Sequence, residues 1–377
     1  MNVQGNSFEV AVIGGGVVGS AIAYGLAARG ARVVVLDEGD RAFRASRVNF
    51  GLVWLQTKGN GLPAYGRWSR RATALWPELA RELHDRTGID VELELNGGLK
   101  YCLGEAEFSE RAAIVERMAA AAGPGVYDTK MVDMDGLREL VPGVQFGGDV
   151  AGASFCPHEG HVNPLRLMRA FHAGLLALGG RFLPGTAVET IARDGDGYHI
   201  ACHGGPVHAD RVVLAAGHGT PRLAAMLGLP APIRAQRGQI LVTERMRPFL
   251  PLPASGLRQT GDGTVMLGAT RENVGMNDAT TVEGEAGLAA RAVRTVPALA
   301  SVPVVRAWAG IRVLTPDTFP VYQQSESHPG SYVALCHSGV TLASIHARDV
   351  AEAFLAPSLP EAFNPFHPRR FDVQKTG

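Results

Sequence analysis

Three groups of residues in this chain have types and spacings that could do chemistry. The first is Gly14-Gly15-Gly16-Val17-Val18-Gly19, a G-x-G-x-x-G pattern. It follows the apolar run Phe8–Ile13 and opens the apolar stretch Val17–Arg29. Gly14 suits a tight turn, Gly16 a close approach of backbone to pyrophosphate, and Gly19 close packing of helix on sheet. Helix N–H groups after Gly16, Val18 among them, would face the phosphate charge. A second apolar run, Ala31–Leu36, ends in Asp37-Glu38. Glu38 stands where a carboxylate can accept both hydroxyls of a ribose. A structural glycine turn would need neither the flanking strands nor the acid, so a dinucleotide site is expected.

The second group follows directly: Arg44-Ala45-Ser46-Arg47-Val48-Asn49-Phe50-Gly51-Leu52. Ser46, Arg47 and Asn49 supply hydroxyl, guanidinium and amide groups, and Gly51 takes little room. This mixture fits a loop wrapped around a pyrophosphate and a flavin ring. A plain surface loop has no use for Phe50, Leu52, Val53 and Trp54 so close together. FAD is therefore expected rather than NAD, with an NAD-dependent dehydrogenase as the alternative.

The third group lies far down the chain. Ala215-Ala216-Gly217 ends an apolar run, Trp308-Ala309-Gly310-Ile311-Arg312 ends another, and Cys336-His337-Ser338-Gly339-Val340-Thr341 joins the last run to the last helix. Backbone amides at that helix start could face the flavin edge where negative charge collects on reduction. Arg312 offers a planar fork of the kind that grips a carboxylate. His337 could face the flavin or a substrate amine. Arg258 and Arg271 are weaker candidates for the carboxylate. His158, Glu159 and His161 have no third ligand cluster near them in sequence, so no metal is expected.

The elements that must position these residues read as follows. Phe8–Ile13, Val17–Arg29 and Ala31–Leu36 make a βαβ unit. Pro63–Arg86 reads as a helix that Pro77 kinks or restarts. Val91–Leu95 and Leu99–Leu103, flanking Asn96-Gly97-Gly98, read as a hairpin. Asn163-Pro164 is a helix start with its cap and first residue in place. Val188–Ala192, Tyr198–Cys202 and Arg211–Ala215 read as strands, the last central and parallel. Val340–Leu355 is the last helix, and the proline-rich tail after Pro357 is expected on the surface.

Composition narrows the class. The chain has 377 residues, room for about two domains. Lys plus Arg and Asp plus Glu both number 36, which argues against a polybasic nucleic-acid or membrane binder. Four cysteines lie far apart, at 102, 156, 202 and 336, without the spacing of a zinc or iron–sulfur site. None falls in the Ser46–Gly51 loop, so FAD should be held noncovalently. Glycines interrupt the apolar stretch Val10–Ala28, no basic segment precedes it, and a cytoplasmic location is expected.

Taken together, the glycine fingerprint and the ordered set Ser46–Gly51, Ala215–Gly217, Trp308–Arg312 and His337–Thr341 resemble the FAD-dependent amino-acid oxidase superfamily, the group of D-amino-acid oxidase (DAO), glycine oxidase and sarcosine oxidase. The resemblance runs from Val10 to about Leu355. The stretches SRVNFGLVW, QRGQILVTER, PLPASGLRQT and ALCHSGVTLA resemble β subunits of heteromeric dehydrogenases: D-hydroxyproline dehydrogenase, octopine and nopaline oxidase, and more distantly a hydrogen cyanide synthase subunit. Such a resemblance implies an α/β fold, an FAD-binding Rossmann-like domain with an inserted antiparallel-sheet substrate domain. We place the first in 1–88, 145–230 and 315–377 and the second in 89–144 and 231–314. It implies FAD contacts at Gly14, Gly16, Val18, Gly19, Glu38, Ser46, Arg47, Asn49, Phe50, Gly51, Leu52, Val188, Ala216, Gly217, Gly310, Ser338, Gly339, Val340 and Thr341. Arg312 matches the arginine that binds the substrate carboxylate, with His337 as the second catalytic candidate. The implied reaction is oxidation of a secondary or D-amino acid to its imine by hydride transfer to flavin N5, hydroxy-D-proline first and opines next, with a glycine- or sarcosine-type oxidase as the further alternative. Further redox centres, FMN or iron–sulfur, would sit on partner α and γ subunits. A non-catalytic flavoprotein subunit is the remaining alternative. One departure stands out: the family's G-H-x-x-x-G turn has Cys336 for its first glycine, and Gly339 comes early.

Overall fold

The computed structural model describes residues 7–39, 44–123 and 127–376. Its framework is an eight-stranded sheet. At the centre, strand β1 (Ser7–Ile13) lies parallel to β2 (Val33–Leu36) on one side and to the strand Val207–Leu214 on the other. Beyond them come Arg181–Leu183 next to β2, then Ser331–Leu335 and Val321–Gln324 at the opposite edge. Continuous apolar runs make these central strands, because both faces are covered. Helix α1 (Val17–Ala28) is apolar all round for the same reason: it is wedged between the sheet and the last helical segment. A Cβ on its Gly25 would run into the Ala347 carbonyl.

The register fixes the site. Ile13 pairs with both Leu36 and Leu214, so Gly14, Asp37 and Ala215 leave the sheet side by side. Gly14 N–H donates to Leu36 O at 2.8 Å and Ala215 N–H to Ile13 O at 2.9 Å. Ligands of open parallel sheets bind off such carboxyl ends.

Over this end lie two antiparallel sheets. One runs Leu257–Gln259, Thr264–Gly268, Arg234–Arg245, Val304–Leu314; the other is Gly98–Leu103, Val150–Cys156, Lys130–Val132. They share one core, in which Leu99 and Tyr101 of the second pack with Leu241 and Leu267 of the first.

Four sequence expectations change. Residues 91–95 do not form a hairpin with the next strand. Glu94 instead bridges His161, and Gly98–Leu103 pairs with Val150–Cys156. The local turn signal lost to these long-range partners. Helix Pro63–Thr87 runs through Pro77 without restarting, with Trp76 and Leu79 on either side of it fully buried. The last helix contains a π turn, His346–Val350, between Ala343–Ile345 and Ala351–Leu355. The tail is not simply superficial. Phe363 and Phe366 are buried, edge-on or tilted against Trp68 and Tyr322. Two aromatic anchors outweigh the polar, proline-rich remainder. Asn163 caps its helix as expected, accepting from the N–H groups of Leu165 and Arg166. No helix among the described residues is long and apolar enough to cross a membrane.

Candidate active site

The glycine turn is built as its sequence requires. Gly14 has φ +107°, and a Cβ there would sit 2.5 Å from the Ala215 carbonyl oxygen. At Gly19 a Cβ would strike the Gly14 carbonyl, and at Gly16 it would come 2.9 Å from Ser46 Oγ. Ser46 Oγ also accepts from Val17 N–H at 3.0 Å, so the second group of residues closes on the first. The carboxylate in the turn is Asp37, not Glu38. Asp37 accepts from Gly15 N–H at 2.6 Å and from Gly39 N–H at 2.9 Å. Glu38 also lines the cavity, but it is half-exposed and ion-paired with Arg44 at 2.5 Å. Spacing alone could not choose between adjacent acids. In the strand register it is Asp37 that follows Leu36 beside Gly14.

Residues 44–52 form one wall. Asn49 Oδ1 accepts from Gly51 N–H at 2.8 Å, and Gly51, at φ +86°, leaves no room for a side chain against Val162 O. Val48 lies so close over Gly310 that a Cβ there would collide with it. Trp308 Nε1–H reaches Val48 O at 3.4 Å. Arg47, Phe50 and Leu52 line the same cavity, as do Val188, Ala216 and Gly217 beneath the sheet end. Arg222 donates to Val188 O at 2.7 Å and fixes that strand. Val18 of the first turn meets Gly339 of the last, whose Cβ would lie 3.0 Å from Val18 Cγ2. Every residue expected to touch FAD, apart from Gly19 and Gly51, which are packed behind it, lines a single cavity of about 1250 Å³. That exceeds the roughly 300–1,000 Å³ usual for smaller ligands.

At the far end lie Cys336–Thr341. Thr341 Oγ1 accepts from Trp54 N–H at 3.1 Å, and its carbonyl from Trp76 Nε1–H at 3.0 Å. Ser338 Oγ accepts from Lys58 Nζ at 2.5 Å and from the Tyr65 hydroxyl at 2.8 Å. Lys58 went unnoticed in the sequence. Its signal was rarity, since the chain has 32 arginines and only 4 lysines. Burial, with Arg271 adding to it, brings its ammonium down to about 8. His337 is open by area, but the opening is the cavity itself. Enclosure, then the charges of Lys58, Arg312, Arg271 and Arg234, hold its imidazole down to about 3 and hence neutral at pH 7.

Arg312 crosses the same space. Nη2 donates to Thr270 O at 2.8 Å and Nη1 to Arg237 O at 3.0 Å. Nη1 also reaches Gln236 Oε1 at 3.5 Å; every partner is a neutral oxygen, and no carboxylate pairs with it among the described residues. Desolvation, then Arg271, lowers it to about 10, with Glu272 opposing. Arg258 is differently employed: buried, with Nη1 against His161 Nδ1 at 2.9 Å and Val162 O at 3.2 Å. The His158–His161 segment also serves structure. Glu159 accepts from Leu55 N–H, Gln56 N–H and Gln56 Nε2 at 2.5–2.6 Å, fixing the segment that carries Lys58. His158 instead pairs with Asp128 at 2.5 Å.

The donor set fits FAD: a glycine turn at a helix N-terminus, an acid on the adjoining strand, and a long cavity ending in a cationic chamber. The chain matches the family model described as FAD dependent oxidoreductase (DAO) over residues 9–353. It is 39% identical to an opine oxidase subunit of Rhizobium meliloti, over 97% of this chain and 98% of that one. Hydrogen cyanide synthase subunit HcnC of Pseudomonas aeruginosa is 29% identical, with 95% and 97% covered. The glycine oxidase of Geobacillus kaustophilus, a solved structure, superposes with a TM-score of 0.81 at 27% identity, covering 94% of this chain and 99% of that one. The cofactor is accordingly FAD and the fold that of glycine oxidase, which removes the NAD alternative. The chain belongs to the DAO family of FAD-dependent oxidoreductases and is an FAD-dependent enzyme of the amino-acid oxidase type.

Proposed function

We propose that this enzyme oxidises a secondary-amine amino acid of the opine type to its imine, as the catalytic subunit of a larger assembly. The observation that carries the reading is Arg312, a guanidinium anchored by two carbonyls and lacking an acid, in the chamber bounded by Cys336–Thr341. Identity to an opine oxidase subunit favours an opine over hydroxy-D-proline, which the sequence motifs placed first. The subunit names of two relatives support an assembly, with α and γ partners carrying any further redox centre.

In this reading Asp37 takes the ribose hydroxyls, and Gly14–Val18 with Ser46 and Arg47 take the pyrophosphate. The segment from 336 to 341 holds the flavin, and the domain division is the one drawn from the sequence, except that Val150–Cys156, paired with Gly98–Leu103 and Lys130–Val132, goes with the substrate domain. Bound FAD supplies the two-electron acceptor. Arg312 binds the substrate carboxylate and thereby sets the direction of the α C–H bond. The chamber's cations disfavour a protonated amine, so the nitrogen lone pair is available as the C–H leaves with its electron pair. Neutral His337 can accept a hydrogen bond from the amine. Orientation supplies most of the rate advantage.

The test is an anaerobic panel of opines, D- and L-hydroxyproline, sarcosine and glycine, scored by bleaching of the flavin. Bleaching by opines supports the reading. Bleaching by hydroxy-D-proline alone would restore that substrate, and no bleaching by any amine would favour a non-catalytic flavoprotein subunit.

A further inference from the structure

The chamber holds more positive charge than one carboxylate can balance. Lys58, Lys100, Arg271 and Arg312 all line it, against Glu110, whose charge reaches Lys100. Lys58 is committed to Ser338, and Arg312 to the carbonyls of Thr270 and Arg237. Arg271 is exposed to the cavity, and among the described residues its side chain makes no hydrogen bond or ion pair. Its chain neighbour Glu272 cannot neutralise it. That carboxylate already accepts from Arg237, from Gln239 Nε2 at 2.7 Å and from Thr270 Oγ1. Lys100, on the strand Gly98–Leu103, likewise has no ion-pair partner among the described residues.

Arg312 and Arg271 are also tied together. The Thr270 carbonyl that Arg312 grips belongs to the peptide group leading into Arg271. Gripping that peptide fixes where the Arg271 side chain starts. Like charges collected in a partly desolvated chamber repel one another, and an anion entering between them removes that cost. The charge of Arg271 is felt at Lys58, Lys100, Arg312 and His337 alike, which places it centrally in the group.

We propose that Arg271, with Lys100 beside it, binds a second carboxylate on the substrate arm remote from Arg312. The substrate is then a secondary amine with a carboxylate on each arm, and Arg271 separates it from single-carboxylate amines. The assignment of these two residues rests on the oxidation reading above, but its test does not.

FAD-loaded protein is titrated calorimetrically with two inert ethers, 2,2′-oxydipropanoate (two carboxylates) and 2-ethoxypropanoate (one). The wild type should bind the diacid at least about tenfold more tightly. Arg271→Gln should remove that preference while changing monoacid affinity less than about twofold, and Arg271→Lys should restore part of it. Lys100→Met should show a smaller loss, also confined to the diacid. Arg312→Gln should weaken both ligands. Absence of diacid preference in the wild type, or equal weakening of both ethers by Arg271→Gln, overturns the proposal. A parallel anaerobic comparison uses N-(1-carboxyethyl)alanine and N-ethylalanine. If neither amine bleaches the flavin but the ether preference depends on Arg271, the oxidation reading fails and the second carboxylate site stands. If both amines bleach with equal KM and the ethers show no preference, the second site fails and oxidation stands.

Discussion

The guanidinium of Arg312 lies directly over Gly238, so close that a Cβ on Gly238 would collide with it. Gly238 faces Gly310 across neighbouring strands, and Gly310 is kept bare by Val48. Two adjacent glycines thus serve two different loads: one admits the Arg312 guanidinium, the other the Val48 side chain.

Arg312→Lys keeps the charge and loses the fork; Arg312→Ala loses both. Each should raise KM and slow flavin reduction, since displacement by about 1 Å can cost on the order of a hundredfold. Flavin content should be preserved. Stopped-flow reduction after a flavin assay checks this, and near-normal reduction by Arg312→Ala would move the carboxylate site elsewhere.

Asp37→Ala should weaken FAD binding by about 1.5–3 kcal/mol, because it removes a charged acceptor. Glu38→Ala should cost less, its carboxylate being half-exposed and paired with Arg44. Reconstitution of both apoproteins, followed by flavin fluorescence, ranks them; the opposite order would return the ribose to Glu38.

Gly310→Ala should displace the Val48 loop and lower FAD retention. Val48→Ala in the same chain should restore much of it by removing the colliding methyl groups. A double variant no better than Gly310→Ala alone would show that the glycine has another purpose.

Acid should destabilise the fold through His346. This ring is fully buried, its Nε2 hydrogen-bonded with the Tyr322 hydroxyl at 2.8 Å and its Nδ1 unpartnered. Burial depresses it to about 3 from an ordinary 6.5. The folded state therefore disfavours the proton: stability is full above pH 6.5 and drains as pH falls toward 3, by up to a few kcal/mol. Melting temperature measured from pH 8 to 4 should fall less steeply in His346→Gln. An unchanged slope would assign the acid loss to other groups.

FAD should leave the protein entirely on acid precipitation. All four cysteines are free, and only Cys336 of them lines the cavity. Yellow colour remaining in the pellet would point to a bond there.

Where sequence and structure agree, the signals were local or periodic. The βαβ unit with its glycines, and the Asn163-Pro164 helix start, needed only neighbours along the chain. The remainder depended on contacts no short window contains. Residues 91–103 lost their hairpin to partners near 150–161, strand register set Asp37 rather than Glu38 beside Gly14, and Phe363 and Phe366 made an anchor of a polar tail. Lys58 became part of the chamber because Glu159, about a hundred residues away, holds its segment.

The sheet end where Gly14, Asp37 and Ala215 leave side by side, with Cys336 following the outer strand Ser331–Leu335, has a consequence for biogenesis. Those four positions follow strands that lie some three hundred residues apart along the chain, from Ser7–Ile13 to Ser331–Leu335. Ser7–Ile13 can pair early with Val33–Leu36, but its other parallel neighbour, Val207–Leu214, is made much later, and that strand's own neighbour, Ser331–Leu335, later still. Pairings of such sequence separation form slowly and expose apolar edges meanwhile. A nascent chain therefore has no complete bed for FAD until Cys336–Thr341 has left the ribosome. The glycine fingerprint, although synthesised long before its partners, is by itself only one part of the cofactor's bed.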